Sequence, residues 1–187
     1  MSKIHKMVMV AILSAISFVL MFFSFSIIPG ASFLKVELSI IPILLGLVLM
    51  DLKHAYLILV FRSLLKIFLN NHGITDVIGL PMNMLAIGVF VTVFGLVWRK
   101  KQTLRQYLLA SVLGTALLTF SMVLLNYFVA IPLYAALANF DIGAYIGITK
   151  YMVAMVVPFN VVEGLIFAIA FYFVYIASKP ILERYIR

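Results

Sequence analysis

The chain has 187 residues, of which 66% are hydrophobic and only 11% charged, and it carries a net charge of +8. No polar stretch is long enough for a separate soluble domain, so residues 1–187 read as one membrane-embedded, all-α domain. The absence of cysteine excludes disulfides, thiolate metal sites and cysteine nucleophiles, and the positive charge reads as basic membrane-flanking loops rather than nucleic-acid binding.

The pattern predicts six transmembrane helices. The first spans residues 7–28, too long an apolar run for a cleaved signal segment, and stops at Pro29-Gly30. A loop with Ser32 and Lys35 leads to helix 2, residues 36–50, which holds Glu37 and Pro42. The short turn Asp51-Leu52-Lys53-His54 precedes helix 3, residues 55–69, with Arg62 and Lys66. The run Asn70-Asn71-His72-Gly73 is a turn signal, and helix 4 follows over residues 80–98 with Asn83. Arg99-Lys100-Lys101 and Arg105 form a basic loop before helix 5, residues 107–129. Pro132 opens a long connection containing Tyr134, Asn139 and Asp141. Helix 6 covers residues 151–177 with a kink at Pro158, and a basic tail ends the chain.

An even number of spans puts both termini on one side. That side, together with the 51–54 turn and the 99–106 loop, holds ten of the 14 lysines and arginines, so the termini are expected to be cytoplasmic. Trp98 and Tyr107 are expected at the membrane interface. Helices 2 and 3 are shorter than the roughly 20 residues a full span needs. The missing length is expected from outer loops that dip inward and line a cavity.

Ionisable residues at membrane depth cost about 2.5–3.5 kcal/mol on insertion scales, so they usually pair or face a polar cavity. Arg62 and Lys66, four residues apart on one helix, need an acid between them or a ligand. Glu37, Asp141 and Glu163 are the candidate partners, and a structural ion pair is the plainer reading. Asn83, Asn126, Asn160 and Glu163 all fall near the outer ends of their helices, and Asn160 and Glu163 share a helix face. Three amides offer donors and acceptors together, which suits a heterocycle with mixed edges better than a bare ion. Simple helix–helix hydrogen bonding is the competing explanation. Ala11 and Ala15, with Ser17 nearby, form a smooth face for close helix approach, serving either internal packing or a partner protein. There is no GxxxxGK[ST] phosphate loop, no HExxH, no clustered histidine set and no GxSxG elbow, so enzyme readings are poor and no metal site is expected.

Three segments carry a family resemblance: Ala11-x-x-x-Ala15; Leu125-Asn126-Tyr127-Phe128-Val129 with Pro132-Leu133-Tyr134; and Pro158-Phe159-Asn160-Val161-Val162-Glu163-Gly164. They resemble the substrate-binding S components of energy-coupling factor (ECF) transporters, most nearly the riboflavin-specific type, over nearly the whole chain. The resemblance implies six helices with cytoplasmic termini in the cell membrane, and a vitamin pocket on the extracellular side capped by the loop after helix 1. It also implies docking through Ala11 and Ala15 to a transmembrane coupling protein that sits with two ATPases. Asn126 and Asn160 match positions that hydrogen-bond the flavin ring, and Asn83 falls at a similar polar position. The chain departs from the pattern at Glu163, where the flavin-binding type carries lysine. A carboxylate there can accept from an N–H or an amine, or pair with Arg62, Lys66 or Lys150, so hydroxymethylpyrimidine and pyridoxine stay open as ligands. A stand-alone ion-coupled carrier using Arg62, Lys66 and Glu163, and an assembly factor without a ligand, are the rivals from other classes.

Overall fold

The computed structural model describes residues 2–29 and 34–186, with side chains to Pro180. Ser32, and the side chains of Arg184 and Arg187, lie outside the described residues. Helix α1 spans Lys3–Leu20, with Ser2 as its N-cap accepting from the His5 amide. It ends eight residues before the expected stop, because Phe25–Ser26 (β1) pairs antiparallel with Lys35–Val36 (β2). Helix α2 is Ile40–Leu49, α3 is Leu52–Leu69 and α4 is Ile74–Val97. Helix α4 starts a turn and a half earlier than expected. Gly73, at φ +91°, makes the turn into it, and Pro81 is carried inside it. Among the described residues, four helical stretches are long and apolar enough to cross a membrane: 3–20, 74–97, 104–137 and 148–180.

Helix α5, Leu104–Leu125, does not stop at Asn126. It widens into a π-helical turn over Asn126–Ala130 and continues as α6, Ile131–Leu137, so Pro132 opens no loop. The same device recurs later. After the short helices α7 (Ile142–Tyr145) and α8 (Ile148–Tyr151), a π turn over Met152–Val156 leads into α9, Val157–Ile186. In both places proline is the second residue after the widened turn. Proline lacks an N–H and its ring collides with the carbonyl four residues back, and a π turn relieves that clash without breaking the helix. The two widened turns touch each other.

Helix α2 sits at the centre. It packs against α1, α3, α4 and α9, and Ile40, Ile43, Leu44 and Leu47 are wholly buried. A helix that is apolar all round belongs in such a place. Helix α1 buries Val10, Leu13, Ser14 and Ser17 and exposes Ala11 and Ala15. Ser17 therefore does not extend the alanine face. Its hydroxyl donates to the Ser39 carbonyl at 2.6 Å on the opposite side.

One end of the bundle gathers the basic segments. Lys6 pairs with Asp51 at 3.9 Å, Arg99 donates to the Leu47 and Met50 carbonyls at the C-terminal end of α2, and the Tyr175 hydroxyl donates to Gln102. Trp98 and Tyr107, expected near the membrane interface, are 1% and 4% exposed and turn into the bundle. They pack edge-to-face at 5.2 Å among Phe94, Phe171 and Tyr175, and the Tyr107 hydroxyl donates to the Ala168 carbonyl. Aromatic edge–face contacts and a satisfied hydroxyl make that interior position favourable.

Candidate functional site

At the opposite end lies a pocket of about 120 Å³ whose lining includes Asn83 of α4, Asn126 of the first widened turn, and Asn160 and Glu163 of α9. Tyr134, Tyr151, Met82 and Phe159 complete much of its wall. It shares Lys35, Gly79, Asn83 and Tyr134 with a larger vestibule of about 810 Å³, lined also by Glu37, Lys66, His72, Thr75 and Asp76. The four polar residues chosen from the sequence thus converge on one cavity from three helices.

Each amide is oriented by a local bond. Asn126 Nδ2 donates to the Met122 carbonyl at 2.8 Å, and its Oδ1 accepts from the Tyr151 hydroxyl at 2.6 Å. Asn160 Nδ2 donates to the Val156 carbonyl at 2.7 Å, four residues back and at the end of the second widened turn. Asn160 Oδ1 is buried and has no hydrogen-bond partner among the described residues. Such an acceptor costs about 1–3 kcal/mol unless a ligand or water reaches it. Asn83 Oδ1 accepts from the Arg62 guanidinium, and its amide N–H groups have no hydrogen-bond partner among the described residues.

Arg62 does not reach the pocket as a ligand group. It is wholly buried, pairs with Glu37 at 2.7 Å, and also donates to Ser39 and Asn83. The Ser39 hydroxyl bonds the same carboxylate at 2.9 Å. Arg62 is therefore the support behind Asn83. Lys66 lines the vestibule, but its ammonium is held by Asp76 at 2.7 Å and by the Asn70 side chain and carbonyl. The two cations are not bridged by a shared acid, and Asp141 serves neither. Asp141 caps α7, accepting from the Ala144 amide.

Glu163 is 4% exposed and makes no ion pair or hydrogen bond among the described residues. The expected pairing with Arg62, Lys66 or Lys150 is absent. The first two cations are held by Glu37 and Asp76, and Lys150 does not line this cavity, although Tyr151 of the same short helix α8 does. The pocket thus presents amide donors from Asn83, an open acceptor at Asn160 and a free carboxyl at Glu163.

Sequence reasoning missed Tyr151 and Asp76. Tyr151 stands 25 residues from Asn126, with no local signal joining them. Asp76 was legible, since it lies ten residues from Lys66 across a tight turn. The Tyr151→Phe substitution is expected to leave the fold intact and to weaken ligand binding by about tenfold. It frees Asn126 Oδ1 and with it the amide's orientation, at about one hydrogen bond's worth; isothermal titration of both proteins measures it.

Comparison with known proteins places the chain in a family. The chain is 56% identical to a protein of Streptococcus thermophilus named riboflavin transporter RibU, over 98% of this chain and 87% of the relative. It is 37% identical to the riboflavin transporter RibU of Lactococcus lactis, covering 91% of each. A solved structure described as the S component of a bacterial ECF transporter superposes with a TM-score of 0.80 at 25% identity, over 97% of this chain and 99% of that one. The family described as ECF transporter, substrate-specific component, matches residues 5–175, and the chain belongs to it as a multi-pass membrane protein of transport rather than catalysis.

Proposed function

We propose that this chain captures riboflavin in the Asn83–Asn126–Asn160–Glu163 pocket and delivers it inward as the S component of an ECF importer. One observation carries the reading. A pocket in an apolar bundle keeps, among the described residues, an unpartnered amide oxygen and a free carboxyl beside amide donors, a set that a ligand with a mixed polar edge satisfies. The names of the relatives supply the ligand, and the flavin ring has such an edge. The vestibule, with Lys35, Lys66, His72, Thr75 and Asp76, suits the hydroxylated tail. Because Arg62 and Lys66 are already held by Glu37 and Asp76, an ion relay through them has little support.

The chain crosses the membrane six times with both termini cytoplasmic. The gathering of Lys6, Asp51, Arg99 and Gln102 at the end away from the pocket supports this, since basic ends stay inside. The pocket then opens outward. Ala11 and Ala15, exposed on α1 among Met7, Val8 and Ile12, form the docking face for the transmembrane coupling protein. That protein and its two ATPases supply the energy that a chain without a phosphate loop cannot.

Protein purified from rich medium is expected to carry a flavin absorption band in near-equal amount. Once stripped, it should quench riboflavin fluorescence stoichiometrically. Asn160→Ala should weaken that binding about 10–100-fold by removing both the open acceptor and its amide. A colourless preparation that leaves riboflavin fluorescence unchanged sinks the reading.

A further inference from the structure

We infer that Glu163 receives the imide N–H of the flavin ring, the hydrogen on N3, and that this contact sets which rings the pocket accepts. The inference rests on the riboflavin reading above and names the atom pair within it.

The argument starts from what Glu163 lacks. It is buried in α9 on the pocket wall, with no cation and no hydrogen-bond donor among the described residues. Arg62 is held by Glu37 and Lys66 by Asp76. Lys35 also lines the cavity but forms no ion pair with Glu163. A carboxylate so placed needs a donor from the ligand, and the acid form still keeps a carbonyl oxygen able to accept.

Oxidised isoalloxazine has one N–H, at N3. N1, N5 and the two carbonyl oxygens are all acceptors. Any other ring edge turned to the Glu163 carboxylate would set lone pairs against lone pairs. The neighbouring amides are less demanding. Asn83, Asn126 and Asn160 each carry N–H groups and can serve a ring carbonyl on either side of N3. The ribityl hydroxyls are donors too, but Glu163 does not line the vestibule where the polar tail has Lys35, Lys66, His72 and Asp76 for partners. Asn160 lies three residues away on the same face, so an acceptor and a carboxyl stand side by side where the imide edge arrives.

The test pairs a ligand change with a side-chain change. Riboflavin and 3-methylriboflavin are titrated by fluorescence quenching against the native protein, Glu163→Ala and Glu163→Gln. The native protein is expected to prefer riboflavin by about 100-fold or more, as sites built to bond an N–H reject analogues without it. In Glu163→Ala the preference should collapse to less than about tenfold. Glu163→Gln keeps a carbonyl oxygen and should keep the preference. A second readout needs no variant: riboflavin labelled with ¹⁵N at N3 should show an N3 proton shifted downfield on binding to the native protein. Equal binding of the two ligands by the native protein overturns the inference while leaving the riboflavin reading intact. So does a preference that survives in Glu163→Ala, or an unshifted N3 proton. Failure of the native protein to bind riboflavin at all overturns both.

Discussion

Replacing Arg62 by methionine is expected to cost about 3–5 kcal/mol of stability, the largest single loss in the bundle, because it leaves the largely buried Glu37 carboxylate without its ion pair. Arg62 is wholly buried and supplies the only ion pair to Glu37 among the described residues, while Ser39 and Asn83 depend on the same guanidinium. Trp98, the sole tryptophan, lies in the aromatic cluster and reports unfolding through its emission. The double variant Glu37→Leu with Arg62→Met should recover most of the lost stability, since removing both charges removes the penalty of the one left behind. It should not recover ligand affinity, because Asn83 still lacks the donor that turns its amide toward the pocket. If the double variant is as unstable as Arg62→Met alone, the network holds the fold by packing rather than by charge.

The second large effect is expected at Gly164, next to Glu163. A Cβ built there meets Thr115 at 2.5 Å from Oγ1, 2.8 Å from Cγ2 and 2.9 Å from Cβ. Threonine is β-branched and its χ1 is stiff within a helix, so it cannot swing clear. Gly164→Ala must then push α9 away from α5, at a cost of about 1–3 kcal/mol. Because Asn160 and Glu163 ride on α9, riboflavin affinity should fall in the same variant. Adding Thr115→Ala should restore both. It also removes a hydroxyl that is buried without a partner among the described residues, so on its own it is expected to be nearly neutral. Gly46 is the contrast. Its Cβ would meet the Cδ1 of Ile58 at 2.2 Å, the far end of a side chain that can turn, so Gly46→Ala should cost less. Thermal unfolding in detergent with parallel binding titrations separates the two cases.

Much of this protein was legible in the chain itself. Composition alone demands an all-helical membrane bundle, because backbone groups in hydrocarbon must bond within their own segment. The basic segments foretold which ends cluster. Asn83, Asn126, Asn160 and Glu163 were identified as a group because polar side chains near helix ends in an apolar chain need a reason to be there. The proline rule worked less well. Pro132 and Pro158 look like breaks in the sequence, yet each follows a π turn that lets the helix run on, and nothing local distinguishes a widened turn from an interruption. Helix α1 ended early because the residues after it found strand partners, a long-range choice.

What only the tertiary structure decided is which charges meet. Glu37 and Arg62 are 25 residues apart, and their pairing depends on how α3 is rotated about its axis as it packs on α2. Lys66 turned instead to Asp76, and Asp141 was spent on a helix cap. These choices left Glu163 without a partner among the described residues. Residue type and spacing say which groups can bond. Helix rotation and close approach, settled by side chains distant in sequence, say which ones do.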